Sequence, residues 1–319
     1  MTSVTRILAV VCALLIGPAA AQDKPFPQAK TIEITVLFPA GSSADITARL
    51  LADGMGKELG ATVVVVNRPG AGGAIGYQYV ARQPADGYSL VWNSNSISTT
   101  YHSGASPIDY KAFDPVARVL VESPLLAVRA DSKWKTLAEM MADAKARPKQ
   151  ITVANSGAGS HTHISSVALS RTAGAEVIDV PFGAAQVVTS LLGGQVDAAL
   201  QLPAALTEYV SAGKLRLLAS LTTERDPAFA QVPTAREQGV DVTLEAWRGV
   251  AVPKGTPKPV IAALEKAIKA TVEKKEFSAA CERIAVRPAY MPAAPFGALI
   301  AKEDGELATI MQAIGLKKT

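Results

Sequence analysis

Two short segments carry residue types that hold a small anion without a basic side chain. Phe38-Pro39-Ala40-Gly41-Ser42-Ser43, followed by Asp45, is the first, and Ser156-Gly157-Ala158-Gly159-Ser160 is the second. Glycine lets backbone approach a ligand, and hydroxyls and free amides supply donors. Each segment stands between an apolar, β-branched run and a helical pattern. A helix N-terminus has unpaired N–H groups and a positive partial charge, so a carboxylate placed there is stabilised. Either segment alone is equally a tight turn with an N-cap. Two of them at strand C-ends, where open α/β sheets place ligands, point to a clamp. Neither contains Lys or Arg. The expectation is therefore that no single basic side chain is indispensable, and that Arg49 and Arg68 matter less than Ser43, Ser156 and Gly159. Asp45 would repel a carboxylate directly, so its expected place is the first helical turn, tying backbone N–H groups.

Other chemistries lack their residues. Gly70-Ala71-Gly72-Gly73-Ala74-Ile75-Gly76 puts Ile75 where the dinucleotide fingerprint needs its last glycine, and no phosphate-loop lysine follows any glycine run. It reads as a turn with close helix packing. His161 and His163, two apart on a helix, point in different directions, and no acid or cysteine nearby completes a metal set. They read as helix-start residues, with His163 a candidate ligand contact. There is no G-x-S-x-G elbow, and adjacency of Ser160 and His161 does not give a base the geometry it needs. The reading is a binding protein rather than an enzyme, without metal or cofactor. Trp92 and Trp247 read as core, and Trp134, between two lysines, as surface cover.

The elements that position the two segments alternate as in α/β units with mostly parallel strands. Strands are expected at 32–38, 62–66, 88–92, 151–154, 177–180, 198–200, 215–219 and 247–252. Helices are expected after each glycine segment, over 137–146, 187–192 and 203–212, and from 295 to about 314. Thr256 and Pro257 form an N-cap and N1 pair for a helix carrying Val260, Leu264 and Ile268. The strand-ended glycine loop occurs twice, which predicts two lobes: 30–125 plus 246–319, and 126–245. Residues 1–21 read as a cleavable signal peptide, with Arg6, the apolar run 7–16 and Ala19-Ala20-Ala21 before Gln22. Cleavage leaves 298 residues with a formal charge of +3 and no basic run, which argues against nucleic acid. Cys281 is then the one remaining cysteine, so no internal disulfide forms.

In this order the segments resemble the extracytoplasmic solute-binding proteins of tripartite tricarboxylate transporters, the Bug family. The resemblance runs through Phe38–Asp45 with Arg49, Val66–Gly73, Pro84–Tyr88, Gly157–Ser160 with His163, Val180-Pro181-Phe182-Gly183, Leu192–Asp197, Gly213-Lys214-Leu215, Trp247-Arg248-Gly249 and Pro253–Pro257. It implies a two-lobe periplasmic binding protein of type II-like, Venus-flytrap architecture, with the ligand cleft between lobes and hinge closure on binding. It implies a small carboxylate held by backbone and hydroxyl groups of Phe38–Ser43 and Ser156–Ser160. Phe182 followed directly by Gly183 departs from the family's tyrosine–lysine–glycine, so the distal pocket differs from the usual one. The implied partners are integral-membrane permease subunits, with a sensor protein as the alternative receiver, and the implied state is a monomer.

Overall fold

The structure, a computed structural model, describes residues 25–318; the expected signal peptide and its cleavage point lie outside them. The first units are β1 (Ile32–Val36), α1 (Ser43–Leu59), β2 (Val63–Asn67), α2 (Ala74–Val80), β3 (Ser89–Ser94), α3 (Ser96–His102) and β4 (Phe113–Glu122). The middle of the chain forms β5 (Leu125–Arg129), α4 (Leu137–Ala146), β6 (Thr152–Asn155), α5 (His161–Thr172), β7 (Ile178–Pro181), α6 (Gln186–Leu192), β8 (Ala198–Gln201), α7 (Thr207–Ser211) and β9 (Leu215–Ser220). It ends in β10 (Ala246–Pro253), α8 (Lys258–Val272), α9 (Lys275–Arg283), β11 (Arg287–Pro292) and α10 (Ala293–Ala313).

These strands build two sheets, ordered β11-β4-β10-β3-β1-β2 and β7-β6-β8-β5-β9. The two-lobe α/β architecture stands, but the sheets are mixed rather than mostly parallel. β1 pairs in parallel with β2 and β3, and β6 with β7 and β8. β10 runs against β3 and β4, β11 against β4, and β5 against β8 and β9. The cause is the path between lobes. Strands joined by a helical crossover within one sheet come out parallel. β4 instead passes over Ser123 and Pro124 straight into β5, and β10 returns from the other sheet. A strand that enters from the opposite lobe runs against its neighbours.

The helices follow their apolar spacing. Ala44, Ala48, Leu51 and Met55 make the buried stripe of α1, which stops at Gly60 in the left-handed region (φ 57°). Where that stripe is missing, sequence reading fails. α3 is a run of serines and threonines, held by Thr100 Oγ1 donating to Ser96 O (2.6 Å) and packed with no exposed apolar face to reveal it. α9, whose apolar face is the buried pair Phe277 and Cys281, and β11 lie outside the expected elements, and the 203–212 helix breaks into a 3-10 turn and α7. Thr256 does not cap α8. Its hydroxyl donates back to Pro253 O (2.8 Å), closing a turn, and Pro257 takes the cap position. Trp134 is buried in the second core rather than on the surface, with Nε1 donating to Asp143 (3.0 Å).

α10 joins both cores. Phe296 and Ile300 pack with Val121 and Trp247 of the first sheet. Leu307, Met311 and Ile314 enter the core of the second sheet with Leu126 and Met140. The sequence expectation put all of 246–319 in one lobe; the stripe of α10 divides between the two.

Candidate functional site

The first glycine–serine segment is braced from behind. Asn67 Nδ2 donates to Phe38 O and to Asp45 Oδ1, both at 2.9 Å, and Gly41 N donates to Asp45 Oδ2 at 3.0 Å. Arg49 Nη2 approaches Asp45 Oδ1 at 2.8 Å. Burial pushes the Asp45 carboxyl up, but the bonds from Arg49, Gly41 and Asn67 outweigh it and hold the group below its ordinary range. Asp45 thus ties the loop and faces away from the cleft, as expected. Ser42 caps α1 by accepting from Asp45 N (3.2 Å), and Ser160 caps α5 by accepting from His163 N (3.3 Å).

A third loop completes the contact between lobes. Gly72 (φ +66°) sits so close to the second segment that a Cβ there would lie 2.6 Å from Ala158 O and 2.8 Å from Ser160 N. Thr99 Oγ1 donates to Gly159 O at 2.7 Å, again across the lobes. The turn reading of the Gly70–Gly73 run holds, and its tightest packing is onto the facing loop.

Between these loops lies a tight cavity of about 20 Å³, room for little more than a water. Of the expected site residues, Phe38, Ser42, Ser43, Ser156 and Ser160 line it. Ala40, Gly41, Asp45, Gly157, Ala158, Gly159, His163, Phe182 and Gly183 do not. Their work is indirect: His163 Nδ1 accepts from Gly159 N (3.1 Å), holding the second loop. Gly183 lies near Pro39 at the rim, where an added Cβ would be 3.7 Å from Pro39 Cγ.

The expected donors are hydroxyls and backbone amides. Ser43 spends its hydroxyl proton on Glu122, whereas Ser42 and Ser160 accept in caps and Ser156 accepts from Gln201 Nε2 (3.1 Å). The backbone N–H groups of Ser43 and Ala44 at the start of α1, and of His161 and Thr162 at the start of α5, have no acceptor among the described residues. All four residues line the cavity. Two helix N-termini therefore converge on one small space, the arrangement that stabilises an anion.

Sequence reasoning missed Arg248. The expectation of a site without a basic side chain came from loops that are local in sequence, whereas this arginine arrives on β10. It lines the cavity, and its side chain is 5% exposed beside the fully buried Glu122, with Nε 2.8 Å from Oε2. The one available signal was a charge inside the apolar strand AWRGVAVP. Also missed were Ser94, Asn95 and Ser96 at the end of β3, and Gln201, the last residue of β8. A polar run marked the first place and a lone glutamine between leucines the second.

His161 is 5% exposed, lines the cavity, and neither ring nitrogen has a partner among the described residues. Burial, and then the charge of Arg248, push its pKa down from 6.5 to about 3. The ring is neutral at ordinary pH. Between pH 6.5 and about 3 the unfolded chain binds a proton that the native chain refuses, so this group lowers stability as pH falls. Asp179, pushed up to about 6 mainly by burial, works in the opposite direction between 3.8 and 6. The difference between wild type and His161→Gln isolates the histidine. In urea titrations at about pH 4.5 and about pH 7.5, the variant should gain relative stability at the lower pH. An unchanged difference would show a histidine that protonates as it does in the unfolded chain, and a relative loss by the variant at the lower pH would show one that is charged in the native state.

The chain is similar to known proteins in sequence and in fold. Protein BugT of Bordetella pertussis is 34% identical over 284 residues, covering 86% of each chain. The structure of periplasmic binding protein BugD superposes with a TM-score of 0.86 at 29% identity, over 91% of this chain and 99% of that one. MatC from Rhodopseudomonas palustris, solved with bound malate, gives 0.82 at 28% identity over 88% and 98%. Residues 47–316 match the family described as tripartite tricarboxylate transporter family receptor, and the chain belongs to that family.

Proposed function

We propose that this chain captures a small carboxylate in the cleft between its two sheets and hands it to the integral-membrane subunits of a tripartite tricarboxylate-type permease. The observation that carries the reading is the convergence of four unpartnered N–H groups, from the starts of α1 and α5, on one cavity. Malate in the R. palustris relative supports the ligand class. The protein acts in the periplasm as a monomer after losing residues 1–21, and it binds without catalysis. Its lobes, 30–125 with most of 246–319, and 126–245 with the end of α10, close over the ligand. α10 spans both cores and limits how far they open.

A thermal-shift screen of the mature protein tests this. Lactate, succinate, malate, adipate, citrate and benzoate are each compared with the corresponding neutral amide. A ligand that binds only the folded state adds about 2.7 kcal/mol at a hundred times its dissociation constant. At least one acid should raise Tm while its amide does not. Equal shifts from acid and amide, or none from any acid, would remove the carboxylate reading.

A further inference from the structure

Arg248 and His161 are polar, nine-tenths buried, and left with unused hydrogen-bonding groups in the wall of the cavity. Arg248 spends only Nε, on Glu122; Nη1 and Nη2 donate to no described residue. Both ring nitrogens of His161 are without partners. Buried polar groups in folded proteins are almost always satisfied, so the two orphaned ring nitrogens of His161 mark a missing partner, and the Nη groups of Arg248 stand open beside them. A purely structural ion pair is a poor account. Burying two charges costs several kcal/mol per ion and is offset only when the remaining donors are also bonded. Here they are not.

We propose that Arg248 is the ion-pair partner of the ligand carboxylate, with Glu122 fixing the guanidinium through Nε so that Nη1 and Nη2 face the ligand, and His161 adding one N–H as a neutral donor. The proposal rests on the carboxylate reading above and names the side chains that enforce it. The planar fork of an arginine matches both oxygens of a carboxylate, which a lysine cannot do. Ser43 also donates to Glu122, so the carboxylate of Glu122 is held from both sides and cannot swing toward the ligand. The guanidinium lies 5.7 Å from the centre of the Phe38 ring, which walls off its face. Among the described residues no other lysine or arginine lines the cavity.

The test is titration calorimetry with the most stabilising acid of the six in the screen. Arg248→Met would strand Glu122, so the deciding variant is Glu122→Gln with Arg248→Met, which removes both charges together. It should bind about a hundredfold more weakly, the scale of losing a charged, two-bond contact. Arg248→Lys, which keeps the charge and the folded site, should lose about tenfold, as should His161→Phe, which keeps a ring without donors. A folded double variant within about threefold of wild type, or an unchanged Arg248→Lys should the double variant fail to fold, overturns the proposal while the carboxylate reading survives. Absence of binding by wild type to all six acids overturns both.

Discussion

Gly72→Val should abolish tight ligand capture while each lobe stays folded. The added Cβ would stand 2.6 Å from Ala158 O, 2.8 Å from Ser160 N and 3.0 Å from Gly159 C. These are backbone atoms, which cannot rotate away as a side-chain tip can. The left-handed φ of +66° adds a further strain of about 1–2 kcal/mol for a residue with a Cβ. The cheapest relief is to separate the lobes, because the clash lies between them and not within either core. Separation pulls the N-terminus of α5 away from that of α1, and the cavity then offers two half-sites instead of one. The expected calorimetric result is an affinity loss of about a hundredfold or more. Far-ultraviolet circular dichroism should be unchanged, and small-angle scattering should show a less compact particle in the presence of ligand. Wild-type affinity in a folded Gly72→Val protein would show that the loops need not meet.

Phe296→Ala should give the largest loss of stability among single truncations in α10. The ring is fully buried and stands edge-on to Trp247, with centroids 5.0 Å apart. The space is closely defined: a Cβ at Gly249 would lie 2.5 Å from Phe296 Cζ, so β10 leaves a glycine where the ring enters. Removing the ring opens a cavity that the surrounding strands cannot fill, at a cost of about 3–5 kcal/mol. Met311→Ala, at the other end of the same helix and in the other core, should cost about 2–5 kcal/mol. Urea unfolding measures both. Losses below about 1 kcal/mol for both variants would mean that α10 lies on the surface of the two cores without holding them.

The local parts of this protein were legible because they are decided locally. The two glycine–serine segments, the caps at Ser42 and Ser160 and the β-branched strands each follow from a few neighbouring residues. So does α4, whose predicted span of 137–146 matches the observed Leu137–Ala146. Elements without a periodic apolar face escaped, α3 above all. Its hydroxyls satisfy their own helix and the facing loop, and no one-dimensional pattern encodes that.

The site divides along the same line. Sequence alone determined that a helix N-terminus with free amides would follow each glycine segment, because strand, glycine loop and helix start are contiguous. It also placed Asp45 in the first turn, where an acid has backbone N–H groups within reach. Only the tertiary structure decided that Ser43 donates to Glu122 and that Ser156 accepts from Gln201, because these partners lie 79 and 45 residues away. Only the tertiary structure brought Arg248 on β10 beside Glu122 on β4, through strand pairing across 126 residues of chain. Pairing register is set by which faces of two distant strands are buried together, and that is a property of the packed core, which no single segment contains.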